Sequence, residues 1–154
     1  MPAPRRFTVR DFTAADADAV AALIRTTLLT SNASDYPREV LEGLADWYAA
    51  EGLVSRIGLA RRLVADASGE ILGTAAVREG HVEGFFVAPT AQGRGVGVRL
   101  LAGLEDAARR DGATELLLES SLTAIPFYSR AGFVATGELA DHGDGLSLPM
   151  RKAL

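Results

Sequence analysis

The stretch FFVAPTAQGRGVGVRLLAGL, Phe85 to Leu104, decides how the chain is read. It opens on an apolar run, turns after Ala88, and continues as an amphipathic helix with Leu100, Leu101 and Leu104 on one face. Gly93, Gly95 and Gly97 stand where that helix begins. A glycine inside a helix costs about 1 kcal/mol relative to alanine. At a helix N-terminus, however, the first backbone N–H groups have no helical partner and carry the positive end of the dipole. An anion seated there satisfies both, and a bare backbone lets it approach. Gln92-Gly93-Arg94-Gly95-Val96-Gly97, directly after a strand, therefore reads as a phosphate or pyrophosphate cradle, to which Arg94 adds charge.

Two familiar cradles are excluded by the letters. A Walker A loop requires a lysine followed by Ser or Thr, and none is present. A dinucleotide fingerprint requires Gly-x-Gly-x-x-Gly early in a βαβ unit. Here the spacing is Gly-x-Gly-x-Gly, and three strands joined by short turns precede it. A glycine turn that binds nothing, or another nucleotide binder using the same cradle, stays open on these letters.

Outward from the cradle, the pattern alternates between strand and helix. Phe7 to Arg10 reads as a strand, and Thr13 caps a helix carrying Val20, Leu23, Ile24 and Leu28, with Asp16 as its capping-box partner. Pro37 opens a second helix through Trp47 and Tyr48, ending at Gly52. Arg62 to Asp66, Ile71 to Arg78 and His81 to Val87 read as strands joined by tight turns containing Gly69 and Gly80. After the glycine-rich helix, Thr114 to Glu119 is short and nearly all apolar, as a strand covered on both faces would be. A helix around Thr123 to Ala131 and strands at Phe133 to Glu138 and Gly145 to Arg151 complete a mixed α/β order.

Composition narrows the class further. The 154 residues suffice for one domain, expected to span 1–154, and 48% apolar with 23% charged residues is the balance of a soluble globular protein. No apolar run approaches the ~18 residues of a membrane span. The start, MPAPRRFTVR, lacks a signal-peptide core, so no membrane is expected and the cytoplasm is the default location. The absence of cysteine removes disulfides, thiolate metal sites and a cysteine nucleophile. His81 and His142 lie far apart on different elements, so no metal is expected. A net charge of −4 argues against a nucleic-acid partner.

The stretch VAPTAQGRGVG resembles motif A of the GNAT superfamily, the acyl-CoA-dependent N-acetyltransferases, whose Gln/Arg-x-x-Gly-x-Gly/Ala is filled by Gln92, Gly95 and Gly97. LLLES followed by AIPFYSRAGF, Ala124 to Phe133, resembles the family's later motif: a strand, then a helix with a tyrosine, ending in Gly-Phe. The order of elements agrees over nearly the whole chain. The resemblance implies the α/β GNAT fold, a central, mostly antiparallel sheet splayed between two parallel strands, with helices on both faces.

It also implies acetyl-CoA as cosubstrate and direct transfer to a primary amine, more of a small molecule than of a protein, by a monomer or homodimer. The splay would fall between Phe85 to Ala88 and Leu116 to Glu119. Backbone groups of Phe86 and Val87 would pair with the pantetheine, and the N–H groups of Gln92, Gly93, Arg94, Gly95, Val96, Gly97 and Val98 would hold the pyrophosphate. Ser120 and Ser121 stand where the family's asparagine is absent, and Ala124, Phe127 and Tyr128 complete the cofactor wall. Tyr128 matches the family's general acid.

Most amines are protonated at pH 7, so a base is required. His81, Glu83 and Phe85 alternate onto one face of the strand before motif A. The family often places a carboxylate there, so the resemblance implies Glu83, the carboxylate, or His81, with the more suitable unperturbed pKa, for that role; a solvated strand residue is the alternative for either. In the family the N-terminal helices and their connecting loop wall the acceptor site, which implicates Ser31, Asn32, Asp35, Tyr36, Trp47 and Tyr48, with Asp35 as the residue able to hold a cation. The alternative is a GNAT-fold acyl-CoA sensor or regulatory module without chemistry, which would bind CoA and turn over no amine.

Overall fold

Two tight turns set the centre of the sheet. Ser68 and Gly69 take φ of 53° and 95°, and Glu79 and Gly80 take 49° and 79°. Positive φ at both central residues gives the hairpin turn whose twist matches its strands. The computed structural model describes residues 6–154, so the reading of the first five residues lies outside them. Its elements are β1 (Thr8–Asp11), α1 (Ala17–Thr30), α2 (Arg38–Trp47), α3 (Ala50–Ser55), β2 (Arg61–Ala67), β3 (Glu70–Arg78), β4 (His81–Val87), α4 (Val96–Arg110), β5 (Glu115–Ser121), α5 (Ile125–Arg130), β6 (Val134–Ala135), β7 (Ala140–Asp141) and β8 (Leu146–Ala153).

The strands form one sheet in the order β1-β2-β3-β4-β5-β8-β6, with β7 also on β8. Every neighbouring pair is antiparallel except β4 and β5. Each face has its own core. Leu100, Leu104 and Val96 of α4 meet Leu116 of β5 and Tyr128 of α5 on one side. On the other, Val20, Ile24 and Leu28 of α1, Leu41 of α2 and Leu53 of α3 close over Val64. This is the expected fold: helices on both faces of a sheet with one parallel step.

Three expectations are corrected. The second helix stops at Trp47, and Gly52 lies inside the separate α3 rather than ending α2. Ala49 is extended (ψ 157°), and Arg56 Nη2 donates to Trp47 O at 2.6 Å. A Cβ on Gly52 would lie 2.7 Å from that same oxygen, so the glycine lets α3 fold back closely. The strand expected over Phe133 to Glu138 pairs only at Val134–Ala135. Thr136 N donates to Pro149 O at 2.9 Å, but Pro149 has no N–H to return, so the ladder stops. Finally, β5 is not covered on both faces: Leu116, Leu118 and Ser120 are buried, while Leu117 and Glu119 line a cleft.

The capping box forms as expected and gains an arginine. Thr13 N donates to Asp16 Oδ2 at 2.8 Å, while Arg10 grips the same carboxylate through Nη1 (2.9 Å) and Nη2 (2.8 Å) and reaches Asp66 through Nε (3.0 Å). The Arg10 hydrogen bonds hold the Asp16 carboxyl down at about 2, from an ordinary 3.8. A folded-state pKa below the unfolded value means this stabilisation is present above pH 4 and is lost as pH falls through about 2. Asp16→Asn keeps an acceptor for Thr13 but not the charge. Its urea midpoint is expected to change less than the wild type's between pH 5 and pH 2; parallel curves would refute the assignment.

Candidate active site

β4 and β5 touch at one end only. Their sole ladder pair is His81 with Leu117, where Leu117 N donates to Gly80 O at 2.9 Å. Beyond it the two parallel strands part, and a cleft of ≈ 1280 Å³ runs between the α1–α2 side and the start of α4. The cause lies in β4. Thr74 pairs with Phe86 but Ala76 with Glu83, so β4 carries one residue more than β3 across this step. The extra residue is accommodated at Gly84, at φ 55°, as a β-bulge that bends the strand.

The bulge also redistributes side chains. Strict alternation would put His81, Glu83 and Phe85 on one face. Instead Phe85 packs on Phe127 and Tyr128, with centroids 5.6 and 5.9 Å away, whereas Phe86 meets Tyr48 on the opposite face at 5.6 Å. Glu83 lies on the Tyr48 side too, close enough that its charge acts on both Tyr48 and Arg62. His81 is exposed at the pinned end, with Nδ1 3.3 Å from Glu79 O. Glu83 thus stands further along the opening gap than His81.

Backbone direction separates Phe86 from Val87. Ala88 N donates to Leu72 O at 2.8 Å, so Leu72/Ala88 and Thr74/Phe86 are the hydrogen-bonded pairs of this antiparallel ladder. Phe86 therefore spends its backbone groups on β3. Those of Val87 face the gap, where its carbonyl accepts from Gln92 Nε2 at 3.3 Å. Of the two residues expected to pair with a pantetheine, only Val87 presents its backbone to one.

The three glycines divide by purpose. Gly93 and Gly95 take φ of 77° and 79°, and a Cβ on either would meet no atom within 4 Å; they serve the path of the turn. Gly95 is the left-handed residue from which α4 starts. Gly97 serves packing, because its Cβ would stand 3.1 Å from Phe127 Cε2 and Cζ. Arg99 N bonds Gly95 O at 3.1 Å, while the N–H groups of Val96, Gly97 and Val98 occupy the first turn, where no helical carbonyl lies behind them. Arg94 and Val98 are exposed beside them. Gln92 Nε2 also donates to Ser31 Oγ at 3.0 Å, tying the turn to the end of α1.

Tyr128 is 7% exposed, ringed by Phe127 (5.2 Å), Phe133 (5.4 Å) and Phe85. No described residue hydrogen-bonds its hydroxyl. No sealed side-chain oxygen among the described residues lacks a partner, so the hydroxyl opens onto the cleft that the residue lines. Burial, and secondarily Tyr36 nearby, push this phenol well above its ordinary value.

The expected acceptor wall is brought together in part. Ser31, Asn32, Tyr36 and Tyr48 line the cleft, as do Ser121, Ala124 and Phe127; Asp35, Trp47 and Ser120 do not. Asp35 is buried and used structurally: Oδ1 accepts from Thr123 N (3.2 Å) and Oγ1 (2.7 Å), and Oδ2 from Asn32 Nδ2 (2.8 Å). It pins the α1–α2 loop to the turn before α5 instead of holding a cation. Trp47 is 59% exposed and stacked under Arg56 at 4.4 Å. Ser120 is buried, its hydroxyl given to Ser121 O at 2.8 Å. Arg62, which packs on the bulge, went unread in the sequence, although alternation from buried Val64 places it on an inward face.

The geometry fits an acyl-CoA: a bare N–H turn for the pyrophosphate, a strand edge at Val87 for an amide-bearing chain, and an open gap between them. Residues 32–154 match the family described as an acetyltransferase (GNAT) domain. The chain is 41% identical over 104 residues to the IAA acetyltransferase of Azospirillum brasilense, covering 61% of this chain and 68% of that one. It is 25% identical to a GCN5-related N-acetyltransferase from Rhodopseudomonas palustris, with a TM-score of 0.86 over 100% of this chain and 99% of that one. The YncA acetyltransferase structure from Salmonella typhimurium, which holds acetyl-CoA, is 26% identical with a TM-score of 0.72, covering 97% and 94%. The splayed strands, the bare turn at the head of α4 and these likenesses agree, and the chain belongs to the GNAT family as an acetyltransferase that uses acetyl-CoA.

Proposed function

We propose that this protein is a cytoplasmic enzyme that acetylates a primary amine on a small molecule, with Tyr128 as general acid and Glu83 as general base. The IAA acetyltransferase relative is consistent with a small-molecule acceptor. Acetyl-CoA supplies an activated acyl thioester. The first-turn N–H groups of α4 hold its pyrophosphate, and Val87 aligns the arm along β4. Glu83, on the Tyr48 side, takes a proton from the acceptor amine, directly or through water, as the nitrogen attacks. The C–S bond breaks, and the Tyr128 hydroxyl gives its proton to the departing sulfur. Solvent then reprotonates the Tyr128 phenolate and takes up the proton held by Glu83.

The observation that carries this reading is the unpartnered Tyr128 hydroxyl, nearly buried yet open to the gap. A phenol with its ring packed among aromatics and its hydroxyl free of protein partners at the gap is placed to deliver a proton there. The test is thiol release from acetyl-CoA across amino acids, polyamines, amino sugars and arylalkylamines. Release that depends on both acetyl-CoA and one amine class is expected. Tight CoA binding with no release on any amine would overturn it in favour of a binding module. Among the described residues, no helix is long and apolar enough to cross a membrane.

A further inference from the structure

The Gly84 bulge opens the cleft and divides Glu83 from Phe85, yet glycine is the residue least able to hold such a shape by itself. What holds it comes from two strands away. Arg62 on β2 pairs with Ala76 on β3, and its side chain reaches over β3 to β4. Nη1 donates to Gly84 O at 3.1 Å and to Thr74 Oγ1 at 3.2 Å. Thr74, fully buried on β3, passes its own proton to Leu63 O at 2.8 Å. The guanidinium also fills the space a Gly84 side chain would need: a Cβ there would lie 2.7 Å from Arg62 Nη2 and 3.0 Å from the Tyr48 ring. Tyr48 closes over the group, 5.7 Å from its carbon.

An arginine in this position is expensive. Among the described residues no carboxylate forms an ion pair with it, and desolvation pulls its pKa below the ordinary value. A covered cation with only neutral acceptors is poor material for a sheet interior. The hydrogen bond to the Gly84 carbonyl, the second one to the Thr74 hydroxyl, and its place beside Glu83, Gly84 and Tyr48, all of which line the cleft, give the cost a purpose.

We propose that Arg62 is a positioning residue for acetyl transfer, holding the Gly84 carbonyl across β3 and so fixing the bulge that turns Glu83 to the acceptor side and Phe85 to Tyr128. The inference rests on the reading of Glu83 and Tyr128 given above. It acts on the orientation of β4 and not on the pyrophosphate turn, so cofactor binding and turnover should separate.

The test compares Arg62→Met, which keeps the apolar stem, and Arg62→Lys, which keeps the charge and one donor, with the wild type. Calorimetry with CoA should give Kd values within about threefold of wild type, since the α4 turn is untouched, while kcat falls about 30- to 100-fold in Arg62→Met and less in Arg62→Lys. Amide hydrogen exchange, which needs no acceptor, should speed up about tenfold or more at Glu83 to Phe86 and stay near wild type at Leu100 to Leu104. Exchange at Glu83 to Phe86 that is unchanged, or raised equally everywhere, overturns the proposal. Should Arg62→Met not fold, Arg62→Lys carries the same two readouts. If Glu83→Gln and Tyr128→Phe leave turnover intact, the site assignment fails and this inference with it. If they abolish turnover while Arg62→Met does not, only the role of Arg62 falls.

Discussion

Tyr128→Phe is expected to lower kcat for acetyl transfer about 100- to 1000-fold while the KM for acetyl-CoA stays within about threefold. The substitution removes one oxygen and no packing, because the ring contacts with Phe85, Phe127 and Phe133 are made by carbon. No protein hydrogen bond is lost, so the melting temperature should hold or rise slightly. A large fall in turnover without a fall in stability is the signature of a proton donor. Unchanged turnover would remove Tyr128 from the mechanism.

The pH dependence sharpens this result. Burial raises the Tyr128 pKa, which keeps the hydroxyl protonated through the range in which the enzyme can be assayed. The sign follows: raising pH deprotonates the acceptor amine and increases the rate, while the acid stays loaded. The kcat profile should rise to a plateau with no alkaline limb below about pH 10. A fall between pH 8 and 9, absent from Tyr128→Phe, would contradict the environment described for this phenol.

The second large effect is expected from Gly97→Val. The new Cβ would start 3.1 Å from two Phe127 ring atoms and 3.7 Å from Val87 Cγ2, with two further methyls beyond it. Overpacking of this kind costs about 1–3 kcal/mol. Phe127 cannot yield freely, because it is packed between Phe85 and Tyr128. The displacement falls on the cofactor wall, so the KM for acetyl-CoA should rise tenfold or more, roughly what a lost contact of 1.4 kcal/mol would give. Gly93→Ala makes the contrasting control. Its Cβ has open space, and its penalty is about 1–2 kcal/mol of left-handed backbone strain. Equal effects of the two substitutions on acetyl-CoA KM would refute the division of roles among the glycines.

The parts read correctly from the letters share one property: their cause is local. Ser68-Gly69 and Glu79-Gly80 take the hairpin conformation that their own residues dictate, and Gly93 and Gly95 turn the chain within five residues. Thr13 finds Asp16 three positions on. The glycine turn and the Tyr128 helix each resemble a motif of the GNAT family, and that resemblance implied acetyl-CoA. Two readings slipped for different reasons. Gly52 lies inside α3, where the break at Ala49 folds Trp47 O and Arg56 closely over it, a local path that a lone glycine does not announce. The sixth strand ends early because it meets Pro149, a partner on another strand.

The acceptor side shows the same boundary more sharply. Asp35 looked free to hold a cation until Thr123, 88 residues on, engaged its carboxylate. Alternation placed His81, Glu83 and Phe85 together, but a bulge is a mismatch between two strands and one strand cannot display it. The sequence by itself therefore determined the order of elements, the bare N–H turn and the phenol, because propensity and short-range hydrogen bonding act over a few residues. Only the tertiary structure decided which way β4 faces, which backbone edge it offers and which loop residues are already engaged. Those depend on contacts such as Arg62 with Gly84, whose partners share no pattern in the chain and meet only when the sheet assembles.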